Sequence, residues 1–184
     1  VVMPLYSKIA DQFRDSMKFI TSISVPVAWR NQYCGIFEAK YDGVTYIFLD
    51  NEFYFKRKDM YGEGDDIERF TFFSRAVLEC IPYIDFKPDI IHCNDWQTAP
   101  VPTFLAAWYY PLFPGTKCMF TIHNVEYQGW ADNHFFDDVL GLPWEYRPCM
   151  EMNGAVNVMK GAIETAHMVT TVSENYAREL MYPY

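Results

Sequence analysis

Alternating apolar and polar residues before residue 50 predict a series of β-strands. Three extended segments, Met17–Ala28, Tyr33–Lys40 and Val44–Leu49, are separated by the stretch Trp29–Gln32 and by the Asp42–Gly43 turn signal. An Asp-Gly pair between two extended segments is typical of a two-residue β-hairpin turn. The pattern therefore predicts an antiparallel meander near the start of the chain.

The spacing of apolar residues becomes helical after residue 60. Apolar residues recur at intervals of three and four from Ile67 to Ile81, acidic residues stand just before them, and Pro82 ends the segment. The other predicted helices are about Thr98–Tyr110, Asp132–Leu140, Asn153–Glu164 and one that begins at Ser173. The predicted strands between them are Asp89–Cys93, Lys117–Ile122 and Met168–Val172.

Strands that alternate with helices of this length indicate crossover connections and a parallel sheet. We therefore predict an α/β fold, a Rossmann-like parallel sheet with flanking helices and an antiparallel meander near the start. Val1–Pro4 reads as the second half of a buried strand, and the chain stops shortly after a helical segment. These two features predict that the sequence is a fragment of a longer protein.

The amino-acid composition limits which binding partners and which cellular compartment we expect for this protein. The chain has 184 residues, a formal net charge of −9, 51% hydrophobic residues and 18% aromatic residues, which indicates a globular domain and not a disordered segment. Its longest basic run is Lys56-Arg57-Lys58, so we expect neither nucleic acid nor an anionic membrane as a partner. Apolar runs fall short of the roughly 20 residues of a membrane helix. Five scattered cysteines fit reduced thiols, and we expect a cytoplasmic protein.

Two polar loops follow predicted parallel strands and contain the candidate chemistry. The first is the stretch from His92 to Thr98, HCNDWQT, and the second is the stretch from His123 to Trp130, HNVEYQGW. Ligands of open α/β sheets bind outside the carboxyl ends of the strands, and neighbouring strands lie about 5 Å apart. The two loops would therefore converge on one crevice. Amides, carboxylates and aromatic rings in such a crevice suit a sugar ligand.

Other interpretations of these residues differ in strength. Asp95 could cap the following helix, and His92 could be a histidine of the core. A metal site is disfavoured because these two residues have no third ligand at comparable spacing, and a serine hydrolase is disfavoured because no G-x-S-x-G motif occurs. Gly62-Glu63-Gly64 begins like a phosphate loop. Asp65 and Asp66 would repel a phosphate at that helix start, so we interpret them as caps.

The two loops also resemble the motifs of one enzyme family. The strings His92–Ala99 and Thr121–Gly129 are similar to those in the amino-terminal domain of bacterial glycogen synthases and plant starch synthases. The further similar segments, in the same order, are Val1–Tyr6, Asp50–Phe53 through Tyr61–Gly62, Phe72–Ala76, and Met159–Ile163 through Thr170–Ser173. The resemblance implies the amino-terminal half of a GT-B glycosyltransferase, in which two Rossmann-like domains enclose the active site.

The same resemblance implies an activity. Such enzymes transfer glucose from ADP-glucose, or from UDP-glucose in some relatives, to the 4-hydroxyl of an α-1,4-glucan with retention of configuration. The resemblance implies that ADP-glucose is the donor substrate, that a glucan is the acceptor, and that neither a metal nor a further cofactor takes part. It also implies that residues 1–184 are the acceptor-side domain, without the family's first strand and Lys-x-Gly-Gly loop and without its own carboxy-terminal, nucleotide-binding domain. We therefore expect the fragment alone to be inactive.

Matched by position, the resemblance assigns roles to five residues. His123 matches the active-site histidine beside the donor glucose, and Asp95 matches the carboxylate of the other loop. Asn124, Tyr127 and Tyr61 match positions that line the donor and acceptor cleft. We expect His123 and Asp95 to be catalytic and the other three residues to bind substrate.

Two alternative functions stay open at this point. The first is a non-catalytic glucan-binding module, with the aromatic segment Trp108–Tyr110 as a stacking surface. The second is another GT-B enzyme, such as a sucrose or trehalose-phosphate synthase, or a phosphorylase. The strings Asp-Trp and His-Asn-x-x-Tyr-Gln-Gly favour the glycogen synthase branch.

Overall fold

A computed structural model describes residues 1–182, which form two compact units. The first unit extends from Val1 to Lys87, and the second begins at Pro88. Residues 183 and 184, which follow the last predicted helical segment, lie outside the described range.

The first unit contains the predicted antiparallel meander within a four-stranded sheet of order β1-β4-β3-β2. Its strands are β1 (Val2–Pro4), β2 (Lys18–Val27), β3 (Arg30–Tyr41) and β4 (Val44–Asp50). β2, β3 and β4 pair antiparallel, whereas β1 pairs parallel with β4. Asp42 and Gly43, with φ of 49° and 76°, form the β3–β4 turn, because a tight hairpin turn requires positive φ at both positions.

Three helices complete the first unit. They are α1 (Asp11–Arg14), α2 (Glu52–Phe55) and α3 (Asp66–Cys80). α3 was predicted from its periodicity and packs on the meander with Phe70, Phe72 and Leu78 buried, and a turn that contains Pro82 follows it. The sequence did not predict α1 and α2, because four residues are too few to show a helical period.

The second unit contains the predicted parallel sheet. Three parallel strands have the order β10-β6-β5, and a small antiparallel sheet has the order β7-β9-β8. The strands are β5 (Ile90–Asn94), β6 (Lys117–Ile122), β7 (Trp130–Ala131), β8 (Glu151–Met152), β9 (Ala155–Asn157) and β10 (Met168–Thr171). The predicted strands at β5, β6 and β10 are thus confirmed.

The α-helices of the second unit are α4 (Pro100–Phe104), α5 (Arg147–Met150), α6 (Val158–Thr165) and α7 (Glu174–Leu180). All of them except α5 lie in segments that were predicted to be helical. α4 continues as a π-helical turn, Leu105–Tyr109, and a second π-helical turn, Phe136–Leu140, occupies part of the short helix predicted there. Ser173 begins α7 as predicted, because its side chain accepts a hydrogen bond from the N–H of Tyr176 at 3.1 Å.

The predicted start of helix Asn153–Glu164 is wrong. Asn153 and Gly154 have φ of 54° and 78° and form the turn of a β8–β9 hairpin. The helix begins only at Val158, after Asn157, whose side chain accepts from the N–H of Lys160 at 2.9 Å. The Asn-Gly pair suits a tight hairpin turn better than a helix interior, and this local preference decides the structure.

Within residues 1–182, none of the helices is both long and apolar enough to span a bilayer. The five cysteines are free thiols, and four of them are buried.

Candidate active site

The carboxyl ends of β5 and β6 lie side by side, and both candidate loops begin there. The two strands are parallel neighbours with Asn94 opposite Thr121, so the residues that follow each strand emerge at the same edge of the sheet. Three of the five predicted site residues meet at this edge, namely Asp95, His123 and Asn124.

Asp95 joins the two loops through one carboxylate oxygen. Its Oδ1 accepts hydrogen bonds from the backbone N–H of His123 at 2.8 Å and of Asn124 at 3.3 Å. Its own backbone N–H donates to the carbonyl of Thr121 at 3.0 Å. Because the acceptor is charged, these bonds are stronger than those between neutral groups. The side chain of Asp95 therefore fixes the position of the loop that carries His123.

The backbone of Asp95 is strained. Its φ of 58° and ψ of 178° lie in a region populated almost only by glycine, and such a conformation costs about 1–3 kcal/mol. The hydroxyl of Thr98 helps to hold it, because this oxygen accepts from the N–H of Asn94 at 2.6 Å and lies 3.1 Å from the carbonyl of Asp95. Strain of this kind concentrates at functional sites, which supports the assignment of this loop.

The ring of His123 is oriented by a residue that the sequence prediction missed. Its Nε2 lies 2.9 Å from Oδ1 of Asn94, so the two side chains share a hydrogen bond. The His123 side chain is otherwise exposed, with Nδ1 on the opposite edge of the ring. Asn94 stands directly before Asp95 at the end of a strand, and that position was the signal available in the sequence.

The start of the second loop is a compact turn. The side-chain oxygen of Asn124 accepts from the N–H of Glu126 at 2.9 Å, as in an Asx turn. Tyr127 follows at the tip of the loop and is 62% exposed. The turn therefore presents an aromatic ring to solvent three residues after Asn124.

The rest of this loop is anchored to α7 and to the small sheet. The N–H of Val125 donates to the hydroxyl of Tyr176 at 2.9 Å. Gln128 donates to the carbonyl of Val125 at 2.9 Å and accepts from the side chain of Asn157 at 2.6 Å. Since Asn157 also begins α6, the loop is tied to the helical framework of its own unit.

Tyr61, the fifth predicted residue, belongs to the first unit and is 65% exposed. The buried guanidinium of Arg69 supports its loop from both sides. Nη2 of Arg69 donates to the carbonyl of Met60 at 2.6 Å, and Nε donates to Asp66 at 2.8 Å. Asp66 in turn accepts from the N–H of Gly62 at 2.6 Å. The residues on either side of Tyr61 are thus fixed by one buried cation.

The structure also argues against a phosphate loop at the Gly-x-Gly stretch. The carboxylate of Asp66 already accepts from the amides of Gly62 and Glu63, which a phosphate loop would offer to its ligand. Asp65 stands at the helix start as predicted but makes no side-chain cap; it pairs instead with Arg57 at 2.7 Å.

The remaining residues that the sequence suggested for a functional role make contacts within the fold. Nε2 of His92 lies 2.7 Å from the hydroxyl of Thr121, which lies 2.7 Å from that of Thr170, so His92 belongs to a polar line across the sheet. Tyr109 is buried and Trp108 stacks on Phe104, which disfavours Trp108–Tyr110 as one exposed stacking surface. Among residues 1–182, no three His, Cys, Asp or Glu side chains are grouped to hold a metal.

Comparison with known sequences gives a consistent result over the whole chain. Residues 1–184 match the family described as starch synthase catalytic domain. The glycogen synthase of Desulfitobacterium hafniense is 51% identical over 189 residues, and that of Desulforamulus reducens is 48% identical over 187 residues. Both alignments cover 100% of this chain but only 40% and 39% of the relatives, so the chain spans about two fifths of their length.

A solved structure agrees with this result. The catalytic domain of starch synthase IV from Arabidopsis thaliana, bound to ADP and acarbose, superimposes with a TM-score of 0.87 at 33% identity. The match covers 98% of this chain and 39% of that one, and it confirms the predicted fold class. The loop motifs, the fold and these similarities lead to one conclusion: the chain belongs to the starch synthase catalytic domain family.

Proposed function

We propose that this chain is the acceptor-side domain of a retaining glucosyltransferase that transfers glucose from ADP-glucose to the 4-hydroxyl of an α-1,4-glucan. The observation that carries the proposal is the junction of the two loops, in which Asp95 binds the amides of His123 and Asn124. Whole-chain similarity to glycogen synthases supports the reaction class. The ADP and acarbose bound to the Arabidopsis relative support a nucleotide-linked donor and an oligosaccharide acceptor.

The proposed roles are those that the family resemblance implies. His123 contacts the donor sugar near its 6-hydroxyl, with its ring held by Asn94. Asp95 positions the His123 loop, and Asn124, Tyr127 and Tyr61 bind substrate. The anomeric carbon loses its bond to the phosphate oxygen and gains one to the acceptor oxygen on the same face, while the acceptor proton passes to the leaving phosphate. The protein supplies orientation and electrostatic stabilisation and needs no nucleophile, metal or further cofactor.

The proposal has consequences for the isolated chain. Because the chain spans about two fifths of its relatives, we propose that a second, nucleotide-binding domain completes the enzyme and that residues 1–184 alone are inactive. The proposal places the reaction in the cytoplasm, where free thiols persist. Its partners are the glucan, the donor and the second domain, with neither nucleic acid nor membrane.

A chimeric enzyme tests the proposal. Residues 1–184 would replace the matching segment of the Desulfitobacterium hafniense glycogen synthase, and incorporation of labelled glucose from ADP-glucose into glycogen would be measured. We expect the chimera to be active and the isolated chain to be silent. His123→Ala should lower kcat by about 10²–10³-fold, the usual loss when one preorganised electrostatic group is removed.

Arg178→Met is the matched control, because the side chain of Arg178 is 71% exposed and forms a surface ion pair with Glu174 of its own helix. It should leave the activity of the chimera unchanged. A folded but inactive chimera would contradict the proposal, and so would full activity of the His123→Ala variant. A silent chimera together with binding of maltoheptaose by the isolated chain would favour the glucan-binding module instead.

A further inference from the structure

Two cysteine thiols that the proposed function does not use lie in contact between neighbouring strands. Sγ of Cys93 on β5 is 3.7 Å from Sγ of Cys118 on β6. Both residues are free thiols and each is 2% exposed. Cys93 directly precedes Asn94 and Asp95, so the pair lies next to the candidate active site in the chain.

The strand register makes a direct disulfide between them unfavourable. Cys93 is opposite Phe120 and Cys118 is opposite Ile91, so the two cysteines are offset by two residues along parallel strands. With strands about 4.8 Å apart and a rise of about 3.3 Å per residue, their Cα atoms are about 8 Å apart. Disulfides require Cα atoms closer than about 7 Å. A direct S–S bond would therefore require the two strands to shift, whereas a bond of each sulfur atom to one intervening atom would not.

The distance between the sulfur atoms fits one bridging atom. Two sulfur bonds of about 2.3 Å, the length of a zinc–thiolate bond, that meet at about 90–109° span about 3.3–3.8 Å. The measured 3.7 Å falls within this span. Zinc is not the occupant, because a structural zinc site needs four ligands, and no third His, Cys, Asp or Glu of residues 1–182 joins the pair.

We propose that Cys93 and Cys118 form a two-thiol binding site for trivalent arsenicals that carry one organic group. Such a compound, R–As=O, has two bonds left for sulfur once its oxygen departs. Both S–H bonds and the arsenic–oxygen bond break, two arsenic–sulfur bonds form, and the two protons leave with the oxygen as one water molecule. Arsenic stays trivalent, so neither an oxidant nor a reductant is needed.

Binding at this site is expected to be slow. The hydrogen bond with Cys118 and burial raise the pKa of the Cys93 thiol, so the reactive thiolate is scarce at neutral pH. Both thiols are also shielded from solvent, so the reagent enters only when the neighbouring strands open locally. Since β5 is an edge strand of its sheet among the described residues, such opening is local and does not require global unfolding.

Phenylarsine oxide is the probe for this site. The purified chain would be incubated with it under native conditions, with a phosphine and no dithiol as reductant, and analysed by intact-mass spectrometry and peptide mapping. We expect one phenylarsenic group per chain, in place of two hydrogens, that links the peptides containing Cys93 and Cys118. Excess dimercaptopropanol should remove it. Cys93→Ser and Cys118→Ser should each weaken binding at least 100-fold, because one arsenic–sulfur bond replaces two.

Cys149→Ser and Cys34→Ser are the matched controls, and both should retain the adduct, since neither residue belongs to the pair. Circular dichroism verifies that every variant is folded. Three results would overturn the proposal: equal binding by the Cys93→Ser variant, an adduct that forms only in urea, or a Cys93–Cys118 disulfide after diamide treatment, which would refute the register argument.

Discussion

Asp95 combines a strained backbone with a structural carboxylate, and three substitutions separate the two contributions. Asp95→Ala removes the acceptor and keeps the strain. Asp95→Gly removes the acceptor but relieves the strain, because glycine adopts a φ of 58° without a steric penalty. Asp95→Asn keeps an acceptor oxygen and removes only the charge.

The structure sets the expected magnitudes. Hydrogen bonds to a charged group contribute about 1.5–3 kcal/mol each, and Asp95 is only half-buried, so its bonds to two amides together contribute about 3 kcal/mol. Asp95→Ala should therefore lower the free energy of unfolding by about 3 kcal/mol. Asp95→Gly should lower it by about 2 kcal/mol, since relief of strain outweighs the entropy that glycine adds to the unfolded chain. Asp95→Asn should lower it by about 1 kcal/mol.

Urea unfolding at neutral pH measures this order. Four of the five tryptophans belong to the second unit and report on its unfolding, and circular dichroism verifies that the transition is cooperative. With an m-value of about 2 kcal/mol per molar urea, each step of 1 kcal/mol shifts the midpoint by about 0.5 M. If the glycine variant were no more stable than the alanine variant, strain at Asp95 would be refuted. If Asp95→Ala matched the unmodified chain, the carboxylate would have no structural role.

Three further predictions follow from the fold. Arg69→Met should lower the free energy of unfolding by about 3–5 kcal/mol, because Arg69 is fully buried and its partners would lose their cation, whereas the exposed control Arg178→Met should cost less than about 0.5 kcal/mol in the same urea titration. Burial raises the pKa of Tyr6 to about 12, so the unfolded chain loses this proton first. Stability should therefore fall by about 1–2 kcal/mol between pH 10 and 12 after allowance for solvent screening, and a Tyr6→Phe variant that declined equally would contradict this cause. Because β1 and β5 are edge strands in their sheets among the described residues, we expect self-association that increases with concentration; a monomer at every concentration in sedimentation velocity would exclude it.

Local chemistry explains which elements could be predicted from the sequence. The meander followed from alternation and an Asp-Gly turn, and α3 followed from its period of apolar residues. The β8–β9 hairpin was missed, because its strands have only two and three residues and an adjoining helix dominates the pattern. The helices α1 and α2 were missed for a similar reason, since four residues are too few for a helical period to show.

Some residues of the candidate site could be predicted from the sequence, and others could not. The two polar loops could be identified because a parallel sheet places its ligands beyond the carboxyl ends of strands. The contribution of Asn94 could not, because an asparagine at a strand end has many partners available, and only the pairing of β5 with β6 brings His123 to it. The role of Arg69 was also hidden, since an arginine in a helix is usually exposed and here it is completely buried.

The alternation of strands and helices, the composition of the two loops and the family could be predicted without a structure, because each depends on residue identity and local spacing. Three features are evident only in the folded chain: Asp95 binds backbone amides 28 and 29 residues away, its backbone is strained, and two cysteines on different strands are in contact. The physical reason is register. A shift of one residue between two strands changes every side-chain neighbour, and the register is fixed by the packing of the whole unit.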